Sequence, residues 1–167
     1  MSPLEDQSPL LVRLATIGEA SAIASALRGA FAEYKALYTP GAFAITTPTT
    51  EQIQNRWSEG PVWIALQGRR AVGTVAAVPK GQALYIRSMG IRPEARGQGL
   101  GRLLLEQVES FAKRQGFKQM FLSTTPFLHR AIRLYEQLGF VRTSDGPHEL
   151  QGTPLFTMEK PLHSNTE

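Results

Sequence analysis

Apolar residues recur three and four positions apart from Ala20 through Ile23, Ala24, Leu27 and Phe31 to Tyr34, which predicts a helix over about 17–35 with one buried stripe. Thr16 and Glu19 precede it at the spacing of a capping box. The stretch 36–50, ALYTPGAFAITTPTT, carries no charge and is interrupted by Pro40, Gly41 and Pro48, so a long loop is expected there. A short helix from about Thr50 to Trp57 follows. The period then changes. Val62–Leu66, Val72–Val78 and Leu84–Ile91 are apolar-rich runs of strand length, with turns expected at Gly68-Arg69-Arg70 and Pro79-Lys80-Gly81.

Helical spacing returns at Leu100, Leu103, Leu104, Val108, Phe111 and Ala112. Lys113 and Arg114 in the last turn and Gly116 just beyond mark that helix's end. Met120–Ser123 predicts a strand. Thr125 and Pro126 are expected to open a helix that Gly139 closes, with strands at Phe140–Thr143 and Leu155–Lys160 after it. A short strand is expected at Leu11–Leu14, preceded by a flexible tail over 1–10. No linker divides residues 11–162, which read as one domain.

Composition excludes several classes of chemistry. The 167 residues contain no cysteine, which removes a disulfide scaffold, a thiolate metal site, an iron–sulfur cluster and a cysteine nucleophile. His129, His148 and His163 lack metal-ligand spacing, so no metal is expected. No long uncharged apolar window suggests a membrane span, and the acidic start MSPLEDQSPLLVR does not resemble an export signal, so a cytoplasmic location is expected. The net charge of +4 is unevenly spread: window 87–102 holds Arg87, Arg92, Arg96 and Arg102 against Glu94 alone. That points to a local anion site; a nucleic-acid surface would show a longer basic stripe interleaved with aromatics.

The segment IRPEARGQGLGRLLLEQ, 91–107, runs from a strand end through a glycine-rich turn into the strongest helix of the chain. Such a turn exposes the unpaired amides of the helix's first turn and suits a phosphate. The Walker pattern is absent, and the GxGxG spacing, with Ser123-Thr124-Thr125 ending the next strand, does not fit a dinucleotide fingerprint.

The run Arg96-Gly97-Gln98-Gly99-Leu100-Gly101 resembles the Q/R-x-x-G-x-G/A signature of the GNAT N-acetyltransferases, and AIRLYEQLGF (131–140) resembles that family's second hallmark. The resemblance implies an α/β fold: a mixed, mostly antiparallel sheet of about six or seven strands with helices on both faces, splayed beside the cofactor strand. It implies acetyl-CoA as co-substrate, with Met89, Gly90 and Ile91 along the pantetheine arm and Gly90 at the bulge that splays the strand. Arg96, Gly97, Gln98, Gly99, Leu100, Gly101 and Arg102 would cradle the phosphates. Tyr135, which periodicity alone would place in the core, would be the general acid at the sulfur. Glu33 and Tyr34, otherwise a solvated acid and a core aromatic, would border the acceptor pocket.

The implied activity is acetyl transfer to a primary amine, on a small molecule or peptide, by direct attack, in a monomer or homodimer. An acyl-CoA-binding sensor or scaffold without catalysis is the second reading. Where the family often carries Asn, this chain has Leu128, with Thr124, Thr125 and His129 nearby; where it often carries a carboxylate, this chain has Tyr85-Ile86-Arg87-Ser88. An arginine there disfavours a cationic amine, so the expected acceptor is a low-pKa amine, such as a peptide N-terminus, an amino acid or an amino sugar, rather than lysine or a polyamine.

Overall fold

Strand β2 (Val62–Gln67) shows how the sheet divides the interior. Trp63 and Ala65 point into one apolar cluster and Ile64 into another, as the two-residue period of a strand buried on both faces demands. The computed structural model describes residues 8–146 and 148–163. The other strands are β1 (Leu10–Leu14), β3 (Arg70–Lys80), β4 (Ala83–Ile91), β5 (Gln119–Thr124), β6 (Val141–Arg142), β7 (His148–Leu150) and β8 (Thr153–Pro161). Their order is β1-β2-β3-β4-β5-β8-β6, with β7 paired to β8. The sheet is mixed and mostly antiparallel, with one parallel pair, β4–β5.

Helices α1 (Ala20–Phe31), α2 (Pro40–Thr46) and α3 (Thr50–Asn55) contribute to one apolar cluster. Helices α4 (Leu100–Arg114) and α5 (His129–Gln137) contribute to the other. The expected arrangement of helices on both faces is therefore present. Arg13 donates two bonds of 2.8 Å to the Glu19 carboxylate, which also accepts from the Thr16 amide at 2.9 Å, so the expected box opens a 3₁₀ turn that leads into α1.

Several local expectations are corrected. The stretch 36–50 is not a loop: it holds the end of a 3₁₀ turn (Ala32–Leu37) and then α2. Pro40 sits in that helix's first turn, where its missing amide costs nothing, and Thr39 Oγ1 accepts from the Ala42 amide at 3.2 Å. Thr39 Oγ1 also donates to Gln151 O at 2.7 Å, and the Thr39 amide donates to Thr153 Oγ1 at 3.0 Å, so contacts more than a hundred residues away anchor the segment. Thr125 and Pro126 do not begin α5, which starts at His129. Phe127 instead packs edge-on against Tyr38 at 4.9 Å between ring centres, and that contact holds 125–128 as a turn. The short strand β7 brings the sheet to eight strands, above the six or seven expected. Strand β1 begins at Leu10, inside the expected tail, of which residues 1–7 lie outside the described residues. Among the described residues no helix is long and apolar enough to cross a membrane.

Candidate active site

The parallel pairing of β4 with β5 lasts only from Ala83–Gln119 to Tyr85–Phe121. From Ile86 onward β4 leaves its neighbour, and its edge borders an opening in the middle of the sheet. The irregularity in β4 lies opposite Val75: Thr74 pairs with Gly90 and Ala76 with Arg87, which leaves Ser88 and Met89 facing a single residue of β3. Ser88 takes the left-handed conformation there, at φ +53°. The bulge is therefore at Ser88-Met89 and not at Gly90. Gly90 has a different cause: a Cβ on it would stand 2.9 Å from the Ala30 Cβ, so its lack of a side chain lets α1 lie on β4.

Beyond β4 the chain turns through Pro93–Ala95 into the glycine run. Gly97 and Gly99 both sit at φ +80°, and the space where a Cβ would go is open at each. They expose the amides at the N-terminus of the 15-residue α4, a cradle that fits an anionic phosphate. Gly101 faces α5: a Cβ on it would stand 2.6 Å from Leu134 Cδ2, which would have to move aside. A groove of about 280 Å³ runs from this cradle along Met89, Gly90 and Ile91 to Tyr135. An extended thioester cofactor with a phosphate end fits that combination of apolar channel and open amides.

Tyr135 lies at the junction of two cavities. It is 7% exposed, its hydroxyl is 3.8 Å from Met89 Sδ, and its ring packs edge-on against Phe140. Burial, with a smaller contribution from Tyr38, pushes its pKa well above that of an ordinary phenol. The group is held protonated and acts as a donor.

The second cavity, about 290 Å³, is walled by apolar side chains including Phe31, Ile45, Leu150 and Leu155. Its polar groups are cationic or neutral. Arg56, just past α3, donates to Ser88 Oγ at 3.3 Å, and Arg87 pairs with Glu59 at 3.1 Å. Burial and the Arg87 charge lower the Arg56 pKa, with Glu59 opposing. Burial also raises the Tyr85 phenol, against the pull of Arg87 and Arg56, and raises the Tyr38 phenol, against hydrogen bonds to Thr125 and Thr46. Thr124 Oγ1 and Arg87 Nε are buried without a hydrogen-bond partner.

The structure disperses the arginines that cluster in the sequence. Arg87 borders the second cavity, whereas Arg92 ties α1 to β3 through Ser25 Oγ at 2.8 Å and Ala71 O at 3.0 Å. Arg96 borders the groove, and Arg102 is exposed on α4 outside its lining. Gln98 is exposed and turns back to Ala95 O at 3.4 Å. Glu33 pairs with Arg96, which also donates to Ala30 O at 3.1 Å, and Tyr34 lines the groove; both lie on the glycine-cradle side. Leu128 borders both cavities.

Three cations escaped sequence reasoning. Arg130 and Arg133 of α5 border a shallow depression beside Arg96 and Gly97, and their three-residue spacing was the available signal. Arg56 carried no signal, because Ser88, Arg87 and Tyr85, which it faces, come from β4.

The chain matches the family described as "Acetyltransferase (GNAT) family" over residues 30–140. It is 31% identical over 146 residues to "Uncharacterized N-acetyltransferase YjgM" of Escherichia coli, covering 84% of this chain and 86% of that one. It is 33% identical over 87 residues to human "N-acetyltransferase 8B", covering 48% of this chain and 38% of that one. Among solved structures it resembles the PaiA N-acetyltransferase of Thermoplasma acidophilum in complex with coenzyme A, at TM-score 0.77 and 16% identity over 92% of this chain and 99% of that one. It also resembles YncA of Salmonella typhimurium with acetyl-CoA, at TM-score 0.70 and 21% identity over 95% and 96%. With its paired motifs, its split sheet and a family match over most of its length, this chain belongs to the GNAT family of acetyltransferases.

Proposed function

We propose that the protein transfers an acetyl group from acetyl-CoA to a low-pKa primary amine by direct attack. The observation that carries this reading is the position of Tyr135, at the point where the glycine-cradle groove meets the second cavity. The amides of Gly97, Gly99 and α4's first turn, with Arg96, would hold the phosphates, and β4 from Met89 to Ile91 would hold the pantetheine arm. Acetyl-CoA, when bound, supplies an acetyl thioester; the neutral amine would form a C–N bond to its acetyl carbon as the C–S bond breaks, with the amine's lost proton balanced by the one on the released thiol. The buried Tyr135 hydroxyl donates a hydrogen bond to the sulfur as negative charge gathers there. An amide of the Met89–Ile91 stretch would hold the carbonyl oxygen as it becomes an oxyanion. No cysteine is available for an acyl-enzyme, which favours direct attack.

The test combines acetyl-CoA-dependent thermal stabilisation with thiol release over a panel of primary amines. Stabilisation together with thiol release supports the reading. Stabilisation without thiol release for any amine would make the chain a binding module, and stabilisation by ATP or NAD but not acetyl-CoA would overturn the cofactor assignment.

A further inference from the structure

We infer that the acceptor carries a carboxylate beside an apolar side chain, as an amino acid does, and that Arg56 and Arg87 hold that carboxylate. This rests on the acyl-transfer reading above and narrows its substrate class.

Two guanidiniums from separate elements reach one cavity, Arg87 from β4 and Arg56 from the end of α3. Glu59 stands against both, and it pairs with Arg87. Among the described residues no Asp or Glu lines the cavity. Arg87 Nε is buried with no partner, and Arg56 has Ser88 Oγ, a neutral acceptor, at 3.3 Å. Partly desolvated positive charge in excess of its counter-charge is unfavourable until an anion enters.

A carboxylate meets this demand best. Its two oxygens match the planar fork of a guanidinium, and it supplies the missing negative charge. Hydroxyls of Ser and Thr residues share the remaining wall with aliphatic and aromatic side chains such as Phe31, Ile45, Leu150 and Leu155, and these apolar groups suit an apolar side chain on the same molecule. The same charge opposes a polyamine or a lysine chain, whose second cation would face two arginines.

The experiment measures thiol release from acetyl-CoA with leucine, phenylalanine and methionine, with their amides, and with putrescine. We expect kcat/KM at least tenfold higher for the best free amino acid than for its amide, although the amide has the less basic amine. Arg56→Gln should shrink that ratio at least tenfold, and Arg56→Lys should restore part of it. A second readout needs no turnover: calorimetry with CoA and N-acetylleucine or N-acetylleucinamide, where the acid should bind at least tenfold tighter. Equal binding of acid and amide, a preference for amides or putrescine, or a ratio unmoved by Arg56→Gln would overturn the inference. Thermal stabilisation by acetyl-CoA separates the two levels. If stabilisation persists while the carboxylate preference is absent, this inference alone falls; if stabilisation is also absent, the acyl-transfer reading falls with it.

Discussion

The hydroxyl of Tyr135 rests 3.8 Å from the sulfur of Met89, and so links α5 to β4 across the gap where the sheet separates. Met89 belongs to the bulge that follows Arg87, and Gly101 admits α5 close to α4 from the other side. The phenol is thus held in place by a strand irregularity and a missing Cβ. Neither is a property of its own helix.

Tyr135→Phe should leave acetyl-CoA affinity nearly unchanged and lower kcat by about 10–1000-fold, because the hydroxyl would act on charge that develops in the reaction. Since burial raises its pKa, the proton stays in place through the pH at which a free phenol ionises, near ~10. The kcat profile should therefore show no alkaline limb from this group up to about pH 10. An unchanged kcat in the variant would return Tyr135 to a packing role.

Three of the four tyrosines, Tyr38, Tyr85 and Tyr135, have pKa values raised by burial. A raised folded-state pKa contributes stability that is present below the unfolded value and lost as pH rises above it. Stability should thus fall above about pH 10, by up to about 1.4 kcal/mol per pH unit for each withheld phenol. Absorbance titration near 295 nm should show all three ionising above the pH of a free phenol, with Tyr135 the last of them.

Arg96 and Arg102 should differ in effect. Arg96 lines the groove and is tied to Glu33, while Arg102 is exposed away from it. Arg96→Gln should weaken acetyl-CoA binding by about tenfold or more, the scale of a charge-assisted bond. Arg102→Gln should change it by less than about threefold. Glu33→Gln should tighten it modestly, because a carboxylate competing for Arg96 is removed. Calorimetric titration of the three variants checks the order.

Two glycine substitutions separate packing from binding. Gly90→Ala drives a Cβ against the Ala30 Cβ at 2.9 Å and should cost about 1–3 kcal/mol of stability, since one backbone must move. Gly97→Ala meets open space but at φ +80°, so strain of about 1–2 kcal/mol is expected, together with a narrowed anion cradle. Thermal melts with and without acetyl-CoA should show a lower Tm for both and a lost ligand shift for Gly97→Ala.

Features that are local in their physics were legible in the sequence alone. Helices 20–31 and 100–114, the strands on either side of Gly68, and the left-handed turn glycines follow from periodicity, capping and backbone freedom, which act over a few residues. The glycine cradle at the start of α4 and the Leu-Tyr run of α5 are local too, and they identified the family. Tertiary structure decided what depends on partners far along the chain. Thr39 meets Gln151 beside a helix at Pro40–Thr46 where a loop was expected, and Phe127 meets Tyr38 in the turn that precedes α5. Four arginines within sixteen residues parted into two site residues, a clamp and a surface charge, because strand alternation, a bulge and helix rotation aim neighbours in different directions. Arg56 joined Arg87 at one cavity only in the folded chain, a proximity that no spacing along the chain encodes.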